Sequence, residues 1–213
     1  METLEAINKR FSAHSFTDKD FSWTTLGKLI TAAIKAPNSG NLQSFRFIII
    51  TDEKIKEKLS INCHNQVWIA QAPVIVVICS DNSDIERYYK DQSKKYAIQD
   101  ASAAAENLIL AAADLGIQSC WVSAFNEYEI KMLLKIPDSA APHIIIPLGY
   151  STESKTQTRH DMEFLISFND YTNKERKPGM FPLIDKANQA VSQAGKHSKK
   201  FSAKLKEKLK RKK

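Results

Sequence analysis

Residues 37–50 read PNSGNLQSFRFIII, and the chemical character of the chain changes in the middle of this stretch. The first half consists of turn formers and neutral hydrogen-bonding side chains, and the second half is an aromatic and β-branched run typical of a buried strand. The polar half cannot pack as core, but it can present amides, a hydroxyl and backbone N–H groups to a polar, planar ligand. The stretch therefore predicts a ligand-contacting loop that leads into a strand.

A second polar cluster lies upstream, where the chain reads Arg10-Phe11-Ser12-Ala13-His14. A guanidinium and a hydroxyl two residues apart suit a phosphate, because the guanidinium forms charge-assisted hydrogen bonds and the serine adds a donor. Taken alone, these residues are also compatible with a helix end and a turn. Together, the two clusters predict a phosphorylated ligand with a ring system.

The composition is that of an ordinary globular protein, with 43% hydrophobic and 26% charged residues in 213. No apolar run approaches the roughly 20 residues that a membrane span needs, and the first residues lack the apolar region of a signal peptide. Three widely spaced cysteines, Cys63, Cys79 and Cys120, indicate reduced thiols and a cytoplasmic protein. Cys63-His64 has no metal-ligand spacing around it, so no metal site is expected.

The net charge of +7 comes from the end of the chain. Residues 196–213 hold ten lysines and arginines and one acid, which leaves 21 basic and 23 acidic residues, a net charge of −2, in residues 1–195. The basic tail therefore says nothing about the central site. It is either a solvated extension or, through Phe201, Leu205 and Leu209, a contact for an anionic membrane or another polyanion.

Hydrophobic periodicity predicts alternating helices and strands with unequal connections, a pattern typical of a mixed α/β or α+β sandwich. Helices are predicted over residues 3–9, 23–35, 52–59, 98–115, 126–134 and 183–194, and strands over residues 45–51, 74–79, 119–122 and 143–148. Asp100 and Glu106 then lie near the start of the longest helix, as partners of the helix dipole or of a subunit salt bridge.

Several enzyme classes leave no sequence signal. The chain has no Gly-x-Gly-x-x-Gly, no phosphate-binding P-loop and no Gly-x-Ser-x-Gly elbow. The five histidines show no partner spacing. A cofactor that brings its own chemistry is therefore the simplest hypothesis.

Six motifs in order carry a family resemblance. They are Arg10-x-Ser12-x-His14, Ala36-Pro37-Asn38-Ser39-Gly40-Asn41-x-Gln43, Ala72-Pro73-Val74, Asn107-Leu108-x-Leu110-Ala111-Ala112, Leu115-Gly116-x-x-Ser119-Cys120-Trp121 and Pro147-Leu148-Gly149-Tyr150. This set, across residues 4–172, resembles the nitroreductase family of flavin enzymes. The resemblance implies an α+β fold, with a central mixed, mainly antiparallel sheet flanked by helices. It also implies bound FMN and an intertwined homodimer with a flavin at each of two subunit-interface sites.

The resemblance divides the chain into a flavin-binding domain at residues 1–172, a helical extension at 173–195 and the basic tail at 196–213. In the first motif, Arg10 and Ser12 match the residues that bind the FMN phosphate, with Phe11 beside the ribityl region. His14 stands where the family usually has Arg or Lys. An imidazole is charged only part of the time near neutral pH, so FMN affinity is expected to be lower or more pH-sensitive than in relatives.

The second motif matches the loop that reaches the flavin ring from the partner subunit. Its matching residues are Pro37, Asn38, Ser39, Asn41 and Gln43. Ser44-Phe45 replaces the common Pro-Trp, which is expected to soften the loop.

Four further residues complete the site that the resemblance implies. Asn65 matches an amide at the pyrimidine edge of the flavin, and Ser123 and Ala124 match the backbone N–H groups near its N5 and O4 atoms. Arg159 matches a C-terminal base that closes on the phosphate.

The implied activity is hydride transfer from NAD(P)H through flavin N5 to a small aromatic or quinone-like acceptor, in a ping-pong scheme. Reductive dehalogenation, dehydrogenation of an enone or heterocycle, and flavin fragmentation remain alternatives on the same scaffold. A flavin-binding interaction protein, targeted by its basic tail, is another. Residues 81–98, with Tyr88, Tyr89 and Tyr96, are the expected cover of the substrate side.

Overall fold

Strand β2 (Val74–Asp81) lies at the centre of a four-stranded sheet in the computed structural model, which describes residues 2–154, 158–175 and 179. The strand order is β1 (Phe45–Ile50), β2, β4 (Ala140–Gly149) and β3 (Gln118–Ser119), and all neighbours are antiparallel. A parallel bridge joins Ser12 to Ser119 at the β3 edge. The sheet is therefore mixed and mainly antiparallel, as the resemblance implies.

Helices cover both faces of this sheet. They are α1 (Thr3–Lys9), α2 (Trp23–Ile34), α3 (Glu53–Asn62), α4 (Asn82–Tyr89), α5 (Ser93–Asp114) and α6 (Glu127–Leu134). Short 3-10 turns lie at Ser39–Asn41, Val67–Gln71 and Lys90–Gln92.

Four of the described helices, α2, α3, α4 and α6, begin where polar side chains cap them, and three of the capping bonds have the same spacing. Ser22, Asp52 and Asn126 each accept a hydrogen bond from the backbone N–H three residues later, at the starts of α2, α3 and α6. Such a cap satisfies one of the N–H groups that a helix start leaves without an internal partner. The predicted starts of α2 and α6 are confirmed, and α3 ends three residues later than predicted.

Strand β2 is buried on both faces, because successive side chains of a strand point to opposite sides of the sheet. One face carries Val74, Val76 and Ile78, and the other carries Ile75, Val77 and Cys79. The first set packs with Leu29 of α2 and Leu108 of α5, and the second packs with the residues of α3 and α6. The part of the chain that the structure describes therefore has two hydrophobic cores, one on each side of the sheet.

Helix α5 begins at Ser93, five residues before the predicted start. Its first turn, Ser93-Lys94-Lys95-Tyr96, is polar and lacks the apolar spacing on which the prediction relied. Asp100 therefore lies two turns inside the helix, and the prediction that it is a dipole partner at the helix start is wrong. Neither α5 nor any other described helix is long and apolar enough to cross a membrane.

The three cysteines are buried. Burial away from water raises the pKa of the Cys63 and Cys79 thiols to about 12, since the thiolate is the charged form. Both side chains are therefore neutral thiols near neutral pH.

Residues 1–157 form one compact unit, and residues 158–213 form a second. The described part of the second unit holds α7 (Met162–Leu165) and a turn in which Asp170 accepts hydrogen bonds from the backbone N–H groups of Thr172 and Asn173. The predicted helix at residues 183–194 and the basic tail lie outside the described residues. The domain boundaries at residues 172 and 195 stay predictions.

Two glycines allow a matched test of packing. A Cβ at Gly149 would lie 2.7 Å from Cδ of Pro73 and 3.1 Å from Phe16, whereas a Cβ at Gly27 in α2 would meet nothing within 4 Å. Gly149→Ala should lower the free energy of unfolding by about 1–3 kcal/mol through overpacking. Gly27→Ala should raise it by up to about 1 kcal/mol, because alanine favours helix. Urea unfolding measures both, and a Gly149→Ala protein as stable as the parent would contradict the packing described here.

Candidate functional site

The first polar cluster leaves α1 and joins the edge of the sheet. Arg10 is the C-terminal cap of α1 and has extended backbone angles. Ser12 then forms its parallel bridge with Ser119, and the N–H of Ala13 donates to the Ser119 carbonyl at 3.1 Å. Because the segment is fixed by backbone pairing, Arg10 and Ser12 have defined positions along this edge.

A cavity of about 280 Å³ lies beside Arg10. It is lined by the end of α1, the last turns of α5 around Ala113, and β3. The other cation on its wall, Lys9, forms an ion pair with Glu5 at 2.7 Å on the exposed side of α1. Arg10 is thus the half-buried positive charge of this cavity.

A second segment approaches the same edge from the end of α3. The N–H of Asn126 donates to the Asn62 carbonyl at 2.9 Å, and Gln66 Nε2 lies 3.5 Å from the Ala124 carbonyl. Between these contacts, Asn65 has a φ of +58°, which turns the chain sharply. The turn carrying Asn65 is therefore held against the segment that carries Ser123 and Ala124.

His14 links the first and second segments. Its ring centroid lies 4.7 Å from that of Trp68, and its backbone N–H donates to Glu153 Oε2 at 2.9 Å. Farther along, the N–H of Phe16 donates to Gln71 Oε1 at 3.3 Å. Arg10, Phe11, Ser12, His14, Asn65, Ser123 and Ala124 thus belong to segments that meet along one edge of the sheet.

The loop of residues 37–43 is held by its own polar groups. Asn38 Oδ1 accepts a hydrogen bond from the N–H of Gln43 at 3.0 Å, which closes the loop. Gly40, Asn41 and Gln43 have φ values of +56°, +56° and +51°. A left-handed backbone is costly for glutamine and is maintained only where surrounding contacts fix it.

This loop is anchored on α5. Both the N–H and the hydroxyl of Ser39 donate to Asp100 Oδ1, each at 2.9 Å. At Gly40 a Cβ would lie 2.7 Å from the hydroxyl oxygen of Tyr89, so a side chain is excluded there by space as well as by φ. Of the predicted cover residues, Tyr89 therefore lies against the loop, and its ring meets Tyr96 edge-on at 4.9 Å.

The loop and the Arg10 cavity lie at different levels of α5. Ser39 contacts Asp100, whereas the cavity is lined by Ala113, 13 residues farther along the helix. At a rise of about 1.5 Å per residue, this separation is about 20 Å along the axis. Within one chain, the loop that carries Pro37, Asn38, Ser39, Asn41 and Gln43 is therefore not brought together with Arg10 and Ser12.

Another cavity, of about 330 Å³, lies beside Ser123. Trp121 and Phe125 form its aromatic walls, and Glu127 and His143 add ionisable groups. The indole Nε1–H of Trp121 donates to Ser123 Oγ at 2.8 Å, while its ring packs against the core of α2 and α5. This bond holds the Ser123 side chain beside the cavity.

His143 is placed by a bulge in β4. The pairing of β2 with β4 shifts at Ile78/Cys79, so that Ile78 opposes Ile144 and Cys79 opposes Pro142. Ser80 Oγ lies 2.7 Å from His143 Nε2 and donates its proton to Asn82 Oδ1, also at 2.7 Å. Since the hydroxyl has one proton, His143 must donate from Nε2.

Sequence reasoning missed the contact residues Gln66, Trp68, His143 and Glu153. The partners of His143 and of Glu153 are 63 and 139 residues away in the chain, so no local spacing could have indicated them. Arg159, predicted to close on the phosphate, belongs to the second unit, where it is exposed and its Nη1 donates to the Thr158 carbonyl at 3.4 Å.

Comparison with known proteins places this geometry in a family. The protein-family model described as "Nitroreductase family" matches residues 7–71 and 60–150 of this chain. A protein of Archaeoglobus fulgidus named "Putative NADH dehydrogenase/NAD(P)H nitroreductase" is 31% identical over 167 residues, which cover 76% of this chain and 93% of the relative. A Bacillus subtilis FMN reductase of the NAD(P)H type is 26% identical over 189 residues, covering 82% of this chain and 76% of the relative.

A solved structure agrees with the sequence matches. The FMN-dependent nitroreductase of Clostridium difficile R20291 superposes with a TM-score of 0.67 at 27% sequence identity. The superposition covers 79% of this chain and 99% of that protein.

The buried imidazole predicts a pH dependence of stability. Desolvation lowers the pKa of His143 from its ordinary value of 6.5, and the charge of Glu127 opposes this effect. As the pH falls, the histidine therefore binds a proton in the unfolded chain at a higher pH than it does in the folded chain. The free energy of unfolding should decrease as the pH drops below about 6.5. His143→Gln, whose amide can still donate to Ser80, should lose less stability between pH 7.5 and 5.5 in urea unfolding.

The matched control is His160→Gln, at an exposed position of the second unit, which should keep the parent protein's change of unfolding free energy between pH 7.5 and 5.5. An unchanged pH dependence in His143→Gln would contradict this account of the imidazole.

Proposed function

Because this chain belongs to the nitroreductase family, we propose that it is an FMN-dependent NAD(P)H oxidoreductase. The observation that carries the proposal is the meeting of the Arg10–Ser12 pair with the Asn65 turn and the Ser123–Ala124 segment along one edge of the sheet. The names of the Bacillus and Clostridium relatives, which specify FMN and, for the first, NAD(P)H, support the choice of cofactor and donor.

The donor set at this edge fits a phosphorylated flavin. Arg10 supplies a guanidinium fork and Ser12 a hydroxyl, which together suit a phosphate. Asn65 supplies an amide that can both donate and accept, as the edge of a pyrimidine ring requires. These side chains donate or accept hydrogen bonds, and none of them is an activated nucleophile or a strong base. A cofactor that supplies the chemistry itself needs no such group from the protein.

Each segment has a separate task in this proposal. Arg10 and Ser12 would hold the phosphate, with His14 as a third donor. The backbone N–H groups of Ser123 and Ala124 would orient the edge of the flavin ring. Backbone donors fixed in a folded segment stabilise developing charge without having to reorganise.

When bound, FMN would supply the redox chemistry, which is hydride transfer from NAD(P)H to a small aromatic or quinone-like acceptor. Trp121 and Phe125 give the cavity beside Ser123 flat apolar walls, which suit an aromatic molecule. We assign the protein to the cytoplasm, on the basis of its three buried cysteines. Membrane contact through the basic tail stays a separate prediction.

We propose that two copies of the chain form each site. Within one chain the loop of residues 37–43 lies about 20 Å along α5 from the Arg10 cavity, so the loop of a second copy is needed to complete the flavin site. Helix α5 also exposes Ile98, the residue after its end is the exposed Leu115, and α2 exposes Trp23, which is 71% accessible. Covering such apolar side chains is the usual driving force for dimer formation.

The absorption spectrum of the purified protein tests the activity. The protein should be yellow or take up FMN, bleach anaerobically with NADH or NADPH, regain its colour with a nitroaromatic or quinone, and sediment at twice 24.1 kDa. A panel of acceptors separates nitroreduction from the other flavin reactions. A colourless protein that takes up no FMN, or one that binds FMN but consumes no nicotinamide, would refute the oxidoreductase.

The role of Arg10 is tested with two flavins. Arg10→Ala should weaken FMN binding about 10- to 100-fold, because it removes charge-assisted hydrogen bonds to the phosphate. It should leave the affinity for riboflavin, which has no phosphate, unchanged. Fluorescence titration measures both dissociation constants, with Lys9→Ala, which removes the neighbouring paired cation, as the control.

Lys9→Ala should lose less than about threefold in FMN affinity, since an exposed ion pair contributes little. Equal losses of FMN and riboflavin in Arg10→Ala would contradict the assignment of the phosphate to this end of the site.

A further inference from the structure

Asp100 is the buried charge that fixes the ligand-contacting loop. It is 3% exposed, lies two turns inside α5, and accepts both hydrogen bonds of Ser39 on a single oxygen, Oδ1. Hydrogen bonds to a carboxylate are stronger than those between neutral groups. The rigid helix therefore holds the loop through this one side chain.

The loop needs such an anchor because its backbone is unfavourable. The backbone is left-handed at Gly40, Asn41 and Gln43, which are three of the four residues from 40 to 43. Strained backbone persists only where the surrounding structure determines it. The two fixed points are the Ser39–Asp100 bonds at the start of the loop and the Asn38–Gln43 bond that closes it.

A second observation concerns polar atoms at the two ends of the loop. Among the described residues, two buried side-chain atoms have no hydrogen-bond partner, and they are Asp100 Oδ2 and Ser44 Oγ. One lies at the anchor of the loop and the other directly after its last residue. Buried polar atoms are almost always satisfied, so both ends of the loop keep hydrogen-bonding capacity that contacts among the described residues do not use.

We propose that Asp100 is a positioning residue for flavin binding. By holding Ser39, it keeps the loop of residues 37–43 in the shape that contacts the flavin ring bound between two subunits. This inference rests on the proposed function and adds to it a residue that the family motifs did not include. Asp100 acts through Ser39 and does not touch the phosphate end of the cofactor.

The position of the loop gives the inference a specific signature. Since the loop lies away from the Arg10 cavity, Asp100→Ala should weaken the binding of FMN and of riboflavin by the same factor, about 10- to 100-fold. Arg10→Ala, in contrast, should discriminate between the two flavins. Asp100→Asn, whose carbonyl can still accept from Ser39, should restore part of the lost affinity.

A double-mutant cycle tests whether Asp100 acts through Ser39. Ser39→Ala should weaken the binding of both flavins about 3- to 10-fold in the parent protein, since the backbone N–H of residue 39 can still donate to Asp100. In the Asp100→Ala protein it should cost less than about twofold, because the partner is already gone. Gln99→Ala, at the exposed neighbouring position on the helix, is the control and should bind both flavins like the parent.

Two further readouts separate positioning from general damage. In the flavin-free protein, amide hydrogen exchange at Ser39 should speed up in Asp100→Ala and stay slow in Gln99→Ala. In the FMN-loaded protein, the visible circular dichroism of the flavin should change in Ser39→Ala, a variant that keeps the buried carboxylate. If Asp100→Ala does not fold, Ser39→Ala and Asp100→Asn still decide the question.

Additive losses in the cycle, a loss confined to FMN, or unchanged flavin affinity in both Ser39→Ala and Asp100→Asn would overturn the inference. Failure of the parent protein to bind any flavin is a different result, because it refutes the proposed function before any variant is compared.

Discussion

The burial of β2 on both faces is the constraint from which the rest of the architecture follows. A strand with apolar side chains on both faces must be shielded from water on both faces, so helices pack on each side of the sheet. The long α5 lies on one side and the shorter α3 and α6 on the other. The polar segments that emerge between these layers are thereby confined to the edge at β3 and to the end of the sheet where β1 begins.

In the proposed function, these two locations form the flavin site. At the β3 edge, backbone pairing with Ser119 fixes Arg10 and Ser12, and a side-chain contact with Trp68 fixes the ring of His14. At the other location, a buried carboxylate on a helix fixes a loop whose backbone would otherwise relax. The protein supplies rigid donors in both places, and the redox chemistry is left to the cofactor.

Much of the fold follows from local patterns, whereas the site depends on contacts between distant residues. The starts of α2 and α6 were predictable because Ser22 and Asn126 are helix caps. Strand β2 was predictable because a continuous run of β-branched residues is typical of a strand buried on both faces. The start of α5 was not, since its first turn is polar. The Ser39–Asp100 and Ser80–His143 bonds join residues 61 and 63 positions apart, and no propensity or spacing encodes such pairs.

The length of α5 has a genetic consequence. If each flavin is clasped by the sheet edge of one molecule and the loop of another, a polypeptide damaged only at its edge and one damaged only in its loop would each be inactive when expressed separately. Coexpressed, they would pair at random, and in the hybrid one of the two active centres would receive intact parts from both parents. A cell carrying two different defective alleles would then regain a fraction of its lost phenotype, the behaviour that geneticists call intragenic complementation.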